Sequence, residues 1–302
     1  MSASDGERRP GLAVVLVTHD TRSEVLGAIG SLAVDPDRPA GIQLVVVDTG
    51  SSDGTAAAVR EAAPEATVLR LVNTGFARAA NAGIRATSAE VVVLANADVR
   101  FSAGAVARLA TTLREDPRLA AVGPQVRFPD GARQASARRE LSLATLVGHG
   151  LLGRLVPQNR WTGRYHARDL DPTLARDVAW LSGCAVALRR SAVVAIGGFD
   201  PGYFLYVEDV DLGERLRAAG WRLRYDPRAV VEHRVGASTS QARLRALRHH
   251  AESLHRYLAP RLHGPGRLLR PLLPLALTGW VIVTAVLERL MRNRSTTGER
   301  TR

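Results

Sequence analysis

Four short apolar runs punctuate the first hundred residues: LAVVLVT (12–18), IQLVVVD (42–48), TVLRLV (67–72) and EVVVLAN (90–96). Each is rich in β-branched residues and nearly continuous rather than alternating, the pattern of a strand buried on both faces. The segments 22–33 and 76–87 between them read as helices. The turn-rich DTGSSDGT (48–55) closes the second strand, with Asp53 or Thr55 able to cap the next helix. Strand and helix alternating at this spacing predict right-handed βαβ units and a parallel α/β sheet. Ligands of such sheets bind beyond the carboxyl ends of the strands. Thr18, His19 and Asp20, then Asp48, Asn73, Asn96 and Asp98, stand at those ends and should line one crevice.

Beyond residue 100 the pattern predicts a helix over 102–115 and a strand over 119–126. It then dissolves from Arg127 to Asp177 into Arg, Gly and Pro, with one short helix expected at 141–152. So long an irregular insertion is usually functional or mobile. Order returns with VAWLSGCAVALRR (178–190), a helix over 208–219, a last strand at 222–226 and VVEHRVGAS (230–238). Residues 1–10 are polar and expected to be disordered. The division that follows is a main domain over 11–240 and a tail over 241–302, which opens with a helix at about 239–258.

Charge separates the tail further. All 41 basic side chains are Arg, which excludes mechanisms that need a lysine, and the net charge is +12. Residues 242–302 carry twelve Arg and three Glu, so most of the excess sits there. The tail also holds PLLPLALTGWVIVTAVL (271–287), seventeen residues without a charge, near the lower limit for crossing ~30 Å of hydrocarbon. Three placements remain open for it: an interfacial or re-entrant helix, a single span, and a core or oligomer-interface helix. A basic, apolar tail points to an anionic membrane surface. The mildly basic body carries no nucleic-acid footprint. Cys184 is the only cysteine, which excludes internal disulfides and suits a small buried core residue. The first apolar run is too short for the core of a signal peptide.

No G-x-G-x-x-G follows the first strand, and Walker A, H-E-x-x-H and G-x-S-x-G motifs are missing. What remains is carboxylates at strand ends and one crowded segment, YFLYVEDVDLGERLRAAGW (203–221). Asp98 in NAD (96–98) suits a divalent cation holding a diphosphate, and read alone it suits a helix cap equally well. His233, in VVEHRV, is alone more often structural than a ligand, and Asp48 could be a turn residue.

Taken in order, VTHD, VVVDTGSSDGT, NTGFARAANAGI, LANADV, WLSGCAVALRRSAVVAIGGFD, YFLYVEDVDLGERLRAAGW and VEHRVGAS resemble the inverting glycosyltransferases of family 2, and within them the bacterial rhamnosyltransferase-like branch. The resemblance covers roughly 12–240. It implies a GT-A fold: Rossmann-like, α/β, with a mostly parallel central sheet flanked by helices, here with a helical, membrane-associating C-terminal tail. It implies that Thr18 meets the nucleotide base and that Asp48 pairs with N3–H of uracil or thymine. Asn73, Gly75, Phe76 and Asn81 would lie under the ribose and diphosphate. Asp98 would be the last acid of a D-x-D-type metal motif whose first acid is Asn96 here, and His233 a late ligand of the same Mg²⁺ or Mn²⁺. Trp180 and Gly183 would lie on the acceptor side, with the loops of 127–178.

In that resemblance Asp209 is the general base that takes the acceptor hydroxyl's proton. Glu208 and the apolar run before it would raise its pKa. Asp211 is expected to be a first-turn residue favoured by the helix dipole. The implied donor is a dTDP- or UDP-type sugar. The implied acceptor is a glycan or polyprenyl-diphosphate-linked sugar at the cytoplasmic face of a bacterial plasma membrane, in cell-envelope polysaccharide synthesis. Arg138 and Arg139 could meet an acceptor diphosphate. Two other readings stay open: a non-catalytic nucleotide-sugar-binding subunit at the membrane, and a sugar nucleotidyltransferase. The latter usually carries a Gly-rich loop and a Lys after the first strand, and THDTRS has neither.

Overall fold

A computed structural model describes residues 11–298, apart from 141, 143–144, 147, 150–152, 154–155, 157, 170 and 235–242, and apart from side chains beyond 286. The expected disorder of 1–10, most of the helix expected at 141–152, and the residues 235–242 lie outside that set.

All four early strands form: β1 (Leu12–Thr18), β2 (Gln43–Asp48), β3 (Thr67–Arg70) and β4 (Val91–Asn96). So do the helices α1 (Arg22–Ala33), α2 (Thr55–Ala62) and α3 (Phe76–Arg85). The four strands pair in parallel in the order β3-β2-β1-β4. Val14 and Leu16 of β1 pack to one side with Val25 and Ile29 of α1, and Val15 packs to the other with Ala80 and Ile84 of α3. Helices on both faces are why the strands read as unbroken apolar runs. Each fully buried Val or Leu contributes roughly 1.5–3 kcal/mol.

The second half of the sheet is mixed. β6 (Leu119–Arg127) and β12 (Arg222–His233) pair in parallel. The strand β11 (Ala185–Arg189) lies between β4 and β6 and runs antiparallel to both. Two expectations are corrected here. The chain after Asp98 does not enter a helix at 102. It first makes a short strand, β5 (Val99–Phe101), and the helix α4 (Ala105–Glu115) follows a left-handed Gly104. The last strand does not stop at 226; it continues through a bulge at Asp226/Val230 to His233. Asp226 is wholly buried in that bulge, neutralised by Arg108 and Arg228 and accepting from the Thr112 hydroxyl.

Within the irregular insertion the described elements are short. They are β7 (Arg133–Gln134), β8 (Ala137–Arg138), α5 (Arg160–Tyr165) and β9 (Arg176–Val178). β8 pairs with β10 (Trp180–Leu181) in a separate two-stranded sheet that places Trp180 opposite Arg138. The helices α6 (Arg190–Ala195) and α7 (Glu208–Ala218) follow.

The tail's first helix, α8 (Arg243–Leu258), is built onto the body. His249 stacks on Phe204, Ser253 Oγ donates to the Leu205 carbonyl at 2.9 Å, and Arg256 clasps Asp200 at 2.8–3.0 Å. The helix α9 (Leu273–Gly298) carries the charge-free segment, and Leu275, Ile282, Val283 and Val286 along it are exposed. The stretch Gly264–Val286 is long and apolar enough to cross a membrane, and little of it is buried in the fold.

Candidate active site

The parallel register brings three strand ends level. Thr18 is aligned with Asp48, and Asn96 lies beside Val17. Asp48 is fully buried; Oδ1 accepts from Ser51 N–H at 2.9 Å, and Oδ2 has no hydrogen bond. The nearest cation is the largely exposed Arg70, whose Nε lies 3.5 Å away. A buried carboxylate oxygen without a donor is costly, and a ligand N–H would offset that cost. The Thr18 hydroxyl is buried and turned to Thr21 Oγ1 at 2.7 Å. Asp20 sits in the left-handed region, φ 48°, which Asn and Asp tolerate, and ties this turn to Ser52 N–H at 2.7 Å.

Asp98 and His233 are 135 positions apart in sequence and meet because β5 pairs with the far end of β12. That register sets His233 against Val99. His233 Nε2 lies 3.2 Å from Asp98 Oδ1. Its other nitrogen, Nδ1, lies 2.9 Å from Gln134 Oε1. With the amide oxygen accepting, Nδ1 carries the hydrogen, so that in the neutral ring the Nε2 lone pair faces the carboxylate. Two acceptors aimed at each other fit a shared cation, and a His held through its second nitrogen by an amide is a common metal-ligand arrangement. Among the described residues no third His, Cys, Asp or Glu joins them. Asn96 stands near on the same turn, its N–H donating to the Cys184 carbonyl at 2.9 Å. Gln134 had no signal in the sequence; only the β6–β7 hairpin brings it to His233.

The segment 203–209 is held in a sharp turn. Tyr206 and Val207 both have left-handed φ, 68° and 69°, a conformation that costs non-glycine residues about 1–3 kcal/mol each. α8 clamps the turn from outside through Phe204 and Leu205. From inside, Phe76 N–H donates to the Phe204 carbonyl at 2.7 Å. Gly75 is required there: its φ is 96°, and a Cβ would collide with the Phe204 carbonyl and lie 2.6 Å from its Cα. Its own N–H donates to Asn73 Oδ1 at 3.2 Å.

This turn delivers Asp209 to Gly183. The Gly183 N–H donates to Asp209 Oδ2 at 3.0 Å, and Val210 N–H to Oδ1 at 2.9 Å. A Cβ on Gly183 would lie 3.6 Å from Asp209 Cβ and 3.8 Å from the Phe76 ring, so Phe76, Gly183 and Asp209 form one wall. Burial raises the Asp209 pKa, while the two N–H donors and the nearby Arg138 guanidinium pull it down. Glu208 is buried with Oε2 unpartnered, and burial and the Asp209 charge push its pKa up to about 8. On balance both carboxyls ionise less readily than usual, Glu208 up to about 8, while the Gly183 and Val210 donors orient Asp209. Asp211 has no part in this; it pairs with Arg215 one turn along, at 2.7 Å.

One residue departs from what the resemblance implies. Asn81 does not face the crevice: its Nδ2 donates to the Phe199 carbonyl at 2.7 Å and its Oδ1 accepts from Phe199 N–H at 2.9 Å. Both ends of the amide are spent fastening α3 to the turn after α6. Arg138 is not a loop arginine waiting in solvent: its guanidinium packs over Trp180 and Tyr165, with Nη1 on the Tyr165 carbonyl at 3.0 Å and on His166 at 2.8 Å. Trp180 is buried with its indole N–H unpartnered. Cys184 is a core residue whose thiol burial pushes up to about 11.

The model of the family described as glycosyl transferase family 2 matches residues 13–197. An N-acetylglucosaminyl-diphospho-decaprenol L-rhamnosyltransferase of Mycobacterium tuberculosis is 42% identical over 181 residues, 59% of each chain. The chain thus matches about three-fifths of that relative's length. A rhamnosyltransferase, WbbL, of Escherichia coli is 42% identical over 82 residues, 27% of this chain and 31% of that one. Among solved structures, a mannosyltransferase from Pyrobaculum calidifontis in complex with GDP-Man and Mn²⁺ superposes with a TM-score of 0.56. It is 19% identical and covers 98% of this chain and 82% of its own; that likeness bears on the fold, and it bears out the GT-A architecture. The family model takes in β1–β4 but for Leu12, the strand end at 96–98 and the Gly183 turn, more than half of the sequence, and on that ground the chain belongs to glycosyl transferase family 2.

Proposed function

We propose that this chain is an inverting glycosyltransferase that moves a sugar, rhamnose, from a dTDP- or UDP-type donor to a polyprenyl-diphosphate-linked sugar in cell-envelope polysaccharide synthesis. The observation that carries the reading is Asp209: a buried carboxylate fixed by the Gly183 N–H at 3.0 Å, next to a Glu208 whose pKa is pushed up to about 8. The names of the mycobacterial and Escherichia coli relatives support rhamnose and the lipid-linked acceptor.

In this reading Asp48 Oδ2 accepts N3–H of the base once the exposed Arg70 swings aside, and Gly75 and Phe76 lie along the donor. Asp98 and His233 hold a divalent cation, which when bound neutralises charge on the departing diphosphate; the Mn²⁺ named for the archaeal mannosyltransferase supports a divalent cation of this kind. Asp209 takes the proton of the acceptor hydroxyl. The acceptor oxygen bonds to the anomeric carbon from the face opposite the diphosphate, the bond to the leaving oxygen breaks with its electron pair, and configuration inverts. Apolar side chains exposed along α9 would bring the site to the cytoplasmic membrane surface, with the flanking arginines on anionic lipid.

Asp209→Asn is the test. It keeps the Gly183 contact and removes the base, so calorimetry should show unchanged donor binding while product formation falls by at least ~100-fold, the scale of a general base. Normal turnover in that variant, or no binding of any nucleotide sugar by the parent chain, would overturn the reading.

A further inference from the structure

A cavity of about 480 Å³ is lined by Arg138, Arg139, Arg164, Arg176 and Arg217. Its volume is that of a small-ligand site, but its lining is cationic. Two carboxylates share the wall, and they answer only part of its charge. Asp177 is drawn to Arg222 and Arg224 at 2.5 and 3.3 Å, and Glu140 is exposed with its nearest partner, Arg217, at 3.3 Å. Arg139 is paired with Asp169 at 2.6 Å. Among the described residues Arg138, Arg164 and Arg176 have no carboxylate in ion-pair range; Arg176 leans on the main-chain carbonyls of Leu174 and Asp171. Nε of Arg138 and Nε of Arg217 are buried without a hydrogen-bond partner. Like charges gathered with donors to spare are destabilising in the empty fold, and a multivalent oxyanion removes both costs at once.

The cavity's place gives the anion a role. Arg138 lies opposite Trp180 in the β8–β10 pair, and β10 leads within three residues to Gly183, whose N–H holds Asp209. Arg138 also interacts electrostatically with Asp209 itself. We propose that this arginine cavity binds the diphosphate of the acceptor, so that the sugar attached to it reaches Asp209 along Trp180. The proposal rests on the glycosyltransferase reading for the acceptor's identity, while the anion site stands on the cavity alone.

The test uses the full chain and the variant Arg164→Gln/Arg176→Gln, which leaves the packed Arg138 and the Asp209 wall intact; circular dichroism checks its fold. Inorganic pyrophosphate titrated by calorimetry in EDTA, where a cation-dependent donor site is silent, should bind the parent at least tenfold more tightly than the variant. dTDP with Mn²⁺ should bind both equally. In turnover, the acceptor KM should rise at least tenfold for a diphosphate-linked sugar and stay unchanged for the same sugar on a neutral alkyl chain, with kcat kept. Equal pyrophosphate binding, or an equal KM change for both acceptors, overturns the proposal. Loss of binding to phosphatidylglycerol vesicles with an unchanged acceptor KM assigns the cavity to a lipid headgroup and overturns the acceptor role. If no donor yields product while pyrophosphate still separates parent from variant, the function reading fails and the anion site stands.

Discussion

The main-chain N–H of Gly183 holds Asp209 Oδ2 at 3.0 Å, joining the turn before β11 to the first residues of α7. One hydrogen bond thereby links two segments 26 residues apart and fixes a carboxylate that would otherwise rotate freely at a helix start. A hydrogen bond to the charged form also pulls the Asp209 pKa down against the rise that burial imposes. The crowding of acids at 208–211 resolves into three separate roles: a buried Glu208 whose pKa is pushed up to about 8, an Asp209 oriented by two N–H donors, and an ion-paired Asp211.

Glu208 makes stability depend on pH. Its carboxyl holds a proton more tightly in the fold than in the unfolded chain, where the value is near 4.5. Its contribution is therefore fully present below about 4.5 and lost as pH rises through about 8. Relative to Glu208→Gln, the parent should lose stability between those values, by an amount on the order of a few kcal/mol, with the gap levelling above 8. Urea unfolding of both proteins from pH 4 to 9 measures it. A gap that stays constant across that range would remove the protonated Glu208.

Gly75→Ala should cost about 1–3 kcal/mol in chemical denaturation, because the new methyl meets the Phe204 main chain in a left-handed position. The loss should carry into catalysis, since the displaced turn is the one that presents Asp209. An alanine variant with parental stability would show that the turn yields easily.

Gln134→Leu removes the oxygen that fixes His233 without touching either proposed ligand. The concentration of Mn²⁺ or Mg²⁺ needed for half-maximal transfer should rise about 10–100-fold, the usual effect of losing a group that orients a metal-binding imidazole. An unchanged metal dependence would leave the Gln134 contact a matter of packing.

Asp48→Ala deletes the buried oxygen that lacks a donor. A hydrogen bond to a charged group contributes about 1.5–3 kcal/mol, so dTDP or UDP should bind more than tenfold more weakly, and GDP should be little affected. Equal weakening of all nucleotides would mean that Asp48 shapes the turn and does not read the base.

The sequence by itself determined the four parallel strands, the helices between them and the row of polar residues at their carboxyl ends. These are local matters: continuous β-branched runs form buried strands, and side chains at a strand's end must face its ligand edge. It also placed Cys184 in the core and Asp211 at a helix start. Tertiary structure alone decided which distant residues share a site. Asp98 meets His233 through the β5–β12 register, and β5 was hidden because three residues, VRF, carry no period. Gln134 and Gly183 reach their partners by hairpin and turn, Asn81 is diverted to Phe199, and five arginines scattered from 138 to 217 close on one cavity. Such pairings depend on strand order and on where charge can be balanced in three dimensions, and neither leaves a periodic trace along the chain.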